Sequence, residues 1–423
     1  MSLLVVGAGV SGLAAAGLAT RLGTSVTLFD SSTESLQQAA DAGYTTVGPD
    51  WNSAFLSAFD EVVISPGIPP WSEIGRDAAA AISEIEYAFS HTTTPIIAVT
   101  GTNGKTTVTG ATAGILSANG IDAVACGNIG LALSDVADQP RDVLVVEVSS
   151  FQLYSIRSFR PDVAVILNVA PDHLDWHGSF EAYAAAKGRI TENQTIDDVC
   201  IANKNDPVVR GLVAFTAATV ELVEPAALVH VDGSTIQLPE GLDAAFTLDL
   251  VAAVRAASHF TIEPEPTRTW IDTFETGPHR RQLVEVLEGI AYVNDSKATN
   301  PHAASMSVRA YPGVVLIAGG RNKQLDLTPL LAAEPHALVA IGEASDDLLG
   351  IAGRTGIEAV AAHDMRDAVR KAADLARPGD TVLLAPGCTS FDMFENYQVR
   401  GEEFAREVRY LAGRSDDSRQ EQP

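Results

Sequence analysis

The run Thr100-Gly101-Thr102-Asn103-Gly104-Lys105-Thr106-Thr107 carries the most readable chemistry in this sequence. Glycines flanking small polar residues let several backbone N–H groups turn toward one point, and a helix beginning at that point favours negative charge there. Lys105 is then placed to reach β- and γ-phosphates, and the Thr106 hydroxyl to bind Mg²⁺. The pattern departs from the common phosphate loop, because Val99 stands where that loop has its first glycine. A tight turn that merely contains a lysine is the competing reading. The apolar run before it and the helical pattern after it favour an ATP site, with Gly101, Thr102, Asn103, Gly104, Lys105, Thr106 and Thr107 as its contacts.

Phosphate chemistry also needs a metal ligand. Glu147 ends a strand in Val143-Leu144-Val145-Val146-Glu147-Val148-Ser149-Ser150, and Asp172-His173 follows the run that ends in Asn168-Val169-Ala170-Pro171. Singly, each is no more than a surface carboxylate or a satisfied histidine. Three such motifs at strand ends point to one sheet edge, where open α/β folds bind ligands, and Mg²⁺ takes one or two carboxylates with phosphate oxygens and water. Earlier in the chain, Gly7-Ala8-Gly9-Val10-Ser11-Gly12 follows an apolar run, and Asp30 ends the next. This is the dinucleotide fingerprint, which suits NAD, but a UDP-sugar pyrophosphate would use the same helix start. An NAD oxidoreductase leaves the phosphate loop and Glu147 idle, and a catalytically dead scaffold leaves Lys105, Glu147 and His173 without a reason.

The last third holds Gly277–Arg281, Asn294–Asn300, Gly319–Lys323 and Ser390–Tyr397. Basic residues beside small or hydroxylated ones suit a dicarboxylate and a nucleotide, although composition alone equally allows solvated loops.

These residues need sheets to hold them. Strand-like runs fall at Leu3–Val6, Ser25–Phe29, Val62–Ile64, Ile96–Val99, Val143–Val148, Val163–Leu167, Val199–Ala202, Val314–Ala318, Ala337–Ile341 and Thr381–Leu384, alternating with helical stretches. That alternation implies parallel sheets built from βαβ units. Three blocks open with an apolar run and a Gly-rich turn, so the expectation is α/β with three domains. These are a Rossmann-like N-terminal domain (1–92), a central P-loop ATPase-type mononucleotide-binding domain (93–276), and a Rossmann-like C-terminal domain (277–412). Polar stretches at His91–Thr94 and Thr276–Pro278 mark the boundaries. Val220–Leu242 reads as a small antiparallel excursion, and 413–423 as a disordered polar tail.

The 423 residues exceed what one core supports. With 28 basic against 54 acidic residues the net charge is −26, which argues against nucleic acid and requires local positive pockets for anionic ligands. Three scattered cysteines without CxxC spacing point to a reducing cytoplasm. The apolar start has no basic leader, and no stretch offers the roughly 18 unbroken apolar residues of a membrane span.

Taken in order from Val5 to about Leu411, these strings resemble the Mur ligase family. Glu147-Val148-Ser149-Ser150-Phe151-Gln152-Leu153, Asn294–Asn300 and Ser390–Tyr397 are most similar to its D-glutamate-adding members. The resemblance implies ATP-dependent addition of D-glutamate to UDP-N-acetylmuramoyl-L-alanine in peptidoglycan synthesis, with Mg²⁺ or Mn²⁺. It also implies three domains, the last closing over the first two, and a monomer acting on small molecules. By matched motif, Lys105, His173 and Lys187 would be catalytic. Thr106, Glu147 and a carbamylated Lys187 would hold metal, and Arg280, Asp295 and Lys297 would contact ATP from the closing domain. Val10, Ser11, Asp30, Ser65, Gly67 and Asn128 would surround the UDP-sugar, and Thr299, Lys323, Ser390 and Tyr397 would form the D-glutamate pocket. Two departures stand out. Ala245-Phe246-Thr247-Leu248-Asp249 replaces a His-Asn-x-x-Asn string that approaches adenine in relatives, and Ser32 replaces an arginine near uracil.

Overall fold

Every buried strand of the chain splits its side chains between two cores, as a period of two demands. Leu3 and Val5 face one core while Leu4 and Val6 face another, and Ile96 and Ala98 alternate likewise with Ile97 and Val99. In the computed structural model, residues 1–231, 233–275 and 277–420 are described. They divide into two units, Met1–Val169 with Trp176–Phe274, and Ala170–Asp175 with Glu275–Pro423.

The first unit holds two parallel sheets. Strands β1 (Ser2–Val6), β2 (Ser25–Phe29), β3 (Thr45–Val47) and β4 (Glu61–Ile64) lie in the order β3-β2-β1-β4. Strands β5 (Ile96–Thr100), β6 (Ala123–Gly127), β7 (Val143–Glu147), β8 (Val163–Ile166), β9 (Val199–Asn203) and β10 (Thr219–Val223) lie in the order β10-β9-β8-β5-β7-β6. The chain leaves β5 toward one side and β8 toward the other, so a crevice forms between their carboxyl ends. One core joins the two sheets, running from Leu3 through Ile85 to Ala218. At that junction the fully buried Glu84 accepts a bond from Ser134 N at 2.6 Å, while its second oxygen has no hydrogen-bond partner among the described residues. Burial pushes the Glu84 carboxyl up to about 7.

The antiparallel excursion is smaller than the sequence implies. Strand β10 joins the parallel sheet, and only β11 (Leu228–Val231) and β12 (Ser234–Gln237) pair antiparallel. On this edge strand the apolar Val220 and Leu222 are exposed while Glu221 is half-buried against Arg255, so the alternation there does not follow burial.

The second unit holds β13 (Gln282–Leu287), β14 (Ile290–Asn294), β15 (Val314–Gly319), β16 (Ala337–Ile341), β17 (Glu358–Ala362) and β18 (Thr381–Gly387), ordered β13-β14-β18-β15-β16-β17. All neighbours are parallel except β13 with β14. The sequence shows this sheet beginning at Val314, yet it begins at Gln282. Strand β13 is mostly exposed and its pairing shifts register between Leu283 and Glu285, so no apolar run announces it. The final helix, Tyr397–Gln420, passes through Gly413 where a tail was expected, since no proline precedes Pro423 to stop it. Residues 421–423 of that expected tail, and Thr276 at the expected boundary, lie outside the described residues.

Candidate active site

Strand β5 delivers the phosphate loop to the crevice edge, and Gly104 ends it at φ +86°, which an L side chain rarely adopts. The helix Lys105–Ala118 starts there, so its first N–H groups lie at the loop. The loop is clamped from β8: Thr102 N donates to Asn168 O (2.8 Å), Asn103 N to Asn168 Oδ1 (2.9 Å), and Asn168 Nδ2 returns a bond to Asn103 O (3.0 Å). Tyr183 OH and Thr102 Oγ1 share a bond of 3.0 Å.

Charged groups gather around this backbone. Lys105 Nζ donates to Gly101 O (2.9 Å) and Thr102 O (3.1 Å), folding over the loop it belongs to. Lys187, 2% exposed, donates to Gly101 O at 2.8 Å and lies 4.7 Å from the Tyr183 ring centroid. Thr106 Oγ1 donates to Glu147 Oε2 (2.7 Å), and Asn128 Nδ2 to Glu147 Oε1 (2.8 Å). The structure thus brings Gly101–Thr107, Glu147, Asn128 and Lys187 together at one sheet edge.

Glu147 and Thr106 offer one carboxylate and one hydroxyl, the small protein share that Mg²⁺ takes when phosphate oxygens complete its shell. Among the described residues no cluster of three or more His, Cys, Asp or Glu could hold a metal unaided. The donor set therefore fits a metal that arrives with a phosphate.

At the first sheet, Gly7 turns at φ +102° so close to Ser65 that a Cβ there would come within 2.5 Å of Ser65 Cβ. Asp30 accepts from Ala8 N (2.7 Å) and Ser32 N (2.8 Å), so its carboxylate braces the glycine turn. Val10 is 78% exposed in the first turn of the next helix, beside Ser11. Gly67 is exposed near Ser65. The expected sugar-nucleotide residues Val10, Ser11, Asp30, Ser65 and Gly67 thus ring this turn, whereas Asn128 belongs to the Glu147 cluster.

In the second unit, Asp295, Lys297, Thr299, Lys323, Ser390 and Tyr397 follow the carboxyl ends of β14, β15 and β18, while Arg280 precedes β13, whose first residue pairs with the last of β14. Asp295, buried, accepts from Ser307 Oγ and from Arg281 N (3.2 Å). Burial raises its carboxyl, opposed by Ser307 and the nearby Arg281 and Arg280. Lys297 Nζ lies 4.0 Å from the Tyr397 ring centroid. Ser390 is buried and Thr299 half-buried. Lys323 Nζ pairs with Asp172 Oδ1 at 2.8 Å, and Asn300 Nδ2 donates to Asp172 Oδ2 at 3.2 Å. Burial pushes the Asp172 carboxyl up, but Lys323 and His173 outweigh it and hold it below its ordinary value. His173 itself sits at φ +53°, a strained conformation for a non-glycine residue.

The Mur ligase middle-domain pattern matches residues 99–225, and the Mur ligase glutamate-ligase-domain pattern matches 279–388. A UDP-N-acetylmuramoylalanine–D-glutamate ligase of Mycobacterium avium (strain 104) is 36% identical over 96% of this chain and 96% of its own length. The chain belongs to the Mur ligase family. Two solved Mur-type structures share its fold. A pseudomurein peptide ligase type C from Methanothermus fervidus has TM-score 0.61 at 18% identity, covering 96% of this chain and 99% of its own. A MurF ligase from Thermotoga maritima in complex with ADP has TM-score 0.59 at 17% identity, covering 91% and 95%. The C-terminal domain pattern of alanine dehydrogenase/PNT also matches residues 1–120, the stretch holding the Gly7–Gly12 turn that first suggested NAD.

Several residues at this Mur ligase site escaped sequence reasoning as contacts. Asn168 holds the phosphate loop although its string draws attention to Asp172 and His173, and Tyr183 holds it with no motif of its own. Asp249, in the stretch that departs from relatives, presses so close that a Cβ at Gly104 would lie 2.4 Å from its Oδ1. Its helical position, opposite the loop, has no local signature.

Proposed function

We propose that this protein is the ATP-dependent ligase that adds D-glutamate to UDP-N-acetylmuramoyl-L-alanine in peptidoglycan precursor synthesis. The observation that carries the reading is the edge after β5. A glycine-shaped loop, Lys105, and a Thr106–Glu147 pair stand where a triphosphate and its metal would bind. The near-full-length likeness to a D-glutamate ligase supplies the substrates.

A free carboxylate is a poor acyl donor, because oxide would have to leave. Transfer of the ATP γ-phosphoryl group to the L-alanyl carboxylate gives an acyl phosphate, and the amine of D-glutamate displaces phosphate from it. Phosphoryl transfer asks for alignment and charge neutralisation rather than covalent help. Lys105 and the loop amides neutralise the phosphates, and the loop bonds from Asn168 and Tyr183 hold them in line. Mg²⁺, held by Thr106 and Glu147, would supply further neutralisation; a carbamate on Lys187 would add a second anion near Gly101, with His173 as a further catalytic group.

In this reading residues 1–92 hold the UDP-sugar around the Gly7 turn, 93–276 hold ATP, and 277–412 bring Arg280, Asp295 and Lys297 to the nucleotide. Thr299, Lys323, Ser390 and Tyr397 receive the amino acid. An ammonium has three donors, so Lys323 can keep its bond to Asp172 and still donate to a substrate carboxylate. In the same reading the protein acts in the cytoplasm, as a monomer. Separately, no helix among the described residues is long and apolar enough to cross a membrane.

The test is phosphate release from ATP by the purified chain. Release should require UDP-N-acetylmuramoyl-L-alanine and D-glutamate together. Release at full rate with either one omitted would refute the reading.

A further inference from the structure

Arg400 lies in the first turn of the helix Tyr397–Gln420, yet it is only 2% exposed. Its guanidinium donates from Nε to Ser296 Oγ (3.0 Å), from Nη2 to Ser296 O (2.9 Å) and from Nη1 to Cys388 O (3.1 Å). A Cβ on Gly320 would stand 3.3 Å from Nη1, so the cation also lies against the turn after β15. Each hydrogen-bond partner is neutral, and among the described residues no carboxylate comes within ion-pair distance of it. Burial pushes its pKa down to about 10, so it stays charged at neutral pH.

A buried cation without a carboxylate is costly to keep, and an apolar side chain could fill the same space. The strand order shows what it spans. Strands β14, β18 and β15 are consecutive neighbours, parallel to each other, and Arg400 touches the loop leaving each: Ser296, Cys388 and Gly320. Those same loops carry Thr299, Ser390 and Lys323. A planar fork can tie three loops in one geometry, which a lysine point charge cannot.

We propose that Arg400 is a positioning residue for the dicarboxylate amino acid. It fixes the loops after β14, β18 and β15 relative to one another and keeps a positive charge beneath them, with the Asp392 carboxylate nearby but not paired to it, without touching the substrate. In a chain of net charge −26, such a charge is what a doubly anionic amino acid needs. The inference rests on the reading of these loops as the amino-acid site.

Arg400→Met removes charge and fork at similar length; Arg400→Lys keeps the charge alone. With full-length enzyme and each substrate varied in turn, Arg400→Met should raise KM for D-glutamate about tenfold or more, and Arg400→Lys less. KM for ATP and for the UDP-muramoyl substrate should stay within about twofold, less than a third of a tenfold free-energy step. Circular dichroism and thermal unfolding check the fold. If both Arg400 variants fail to fold, Ser296→Ala carries the test, with a smaller rise confined to D-glutamate. An unchanged KM for D-glutamate in a folded variant, or equal rises for all three substrates, overturns the proposal. Failure of the wild-type chain to couple D-glutamate to phosphate release would instead overturn the functional reading.

Discussion

The loop after β5 takes its shape from backbone. Gly104 turns at φ +86°, Asn168 clamps main-chain groups on both sides, and even Lys105 spends its ammonium on the loop's own carbonyls. The loops after β14, β15 and β18 take theirs from side chains that meet across long sequence distances. Lys323 pairs with Asp172, Asp295 binds Ser307, and Arg400 joins Ser296 to Cys388. The first kind of site is stiff and presents donors to any phosphate. The second is a balance of buried charges, and removing one partner strands another at a cost. Substitutions in the two regions should therefore fail differently.

The largest loss is expected at the phosphate loop. Lys105→Ala should cut kcat by the equivalent of about 3–4 kcal/mol, as loss of one transition-state charge contact does, with the circular dichroism spectrum unchanged. Near-normal turnover would take this loop out of the chemistry.

Lys187→Ala comes next, and it separates a structural amine from a modified one. If the amine carries a carbamate, the variant should be inactive and partly rescued by short carboxylic acids, which restore an anion, whereas bicarbonate should not rescue it. Loss of activity that no acid restores would leave Lys187 as a simple donor to Gly101 O.

In the second region the effect should be smaller and selective. Lys323→Ala should raise KM for D-glutamate by the equivalent of about 1.5–3 kcal/mol, with KM for the UDP-muramoyl substrate nearly unmoved. It should also lower the melting temperature, since Asp172 is left buried without its cation. Matching shifts in both KM values would remove Lys323 from the amino-acid pocket.

The effect with least bearing on activity concerns neither site. Glu84 has a folded value of about 7 against an ordinary 4.5, so the folded state holds the proton more tightly. The stability it contributes is full below about pH 4.5 and is lost as pH rises through about 7, on the order of 2–3 kcal/mol. Glu84→Gln should flatten that fall, measured by urea unfolding at about pH 5 and about pH 8. Parallel pH profiles for both proteins would show that Glu84 is ionised throughout.

The same contrast explains what the sequence reveals. Thr100–Thr107 is legible because a glycine pattern dictates backbone directly, and β5, β7, β8 and β15 are legible because both faces are buried and the runs are continuous. Strand β13 is not, having few buried positions, and neither is the last helix beyond Gly413, where only the lack of a breaker speaks. The residues around Lys323 had a motif only through family likeness. Arg400 had none, because the partners of its guanidinium lie near residues 296 and 388 and nothing local requires them.

The most direct measurement follows labelled glutamate and phosphate together. Purified chain given ATP, Mg²⁺ and UDP-N-acetylmuramoyl-L-alanine should incorporate labelled D-glutamate into a UDP-linked product in step with phosphate release, with no comparable use of L-glutamate. Phosphate release without incorporation, or equal use of both enantiomers, would contradict the account.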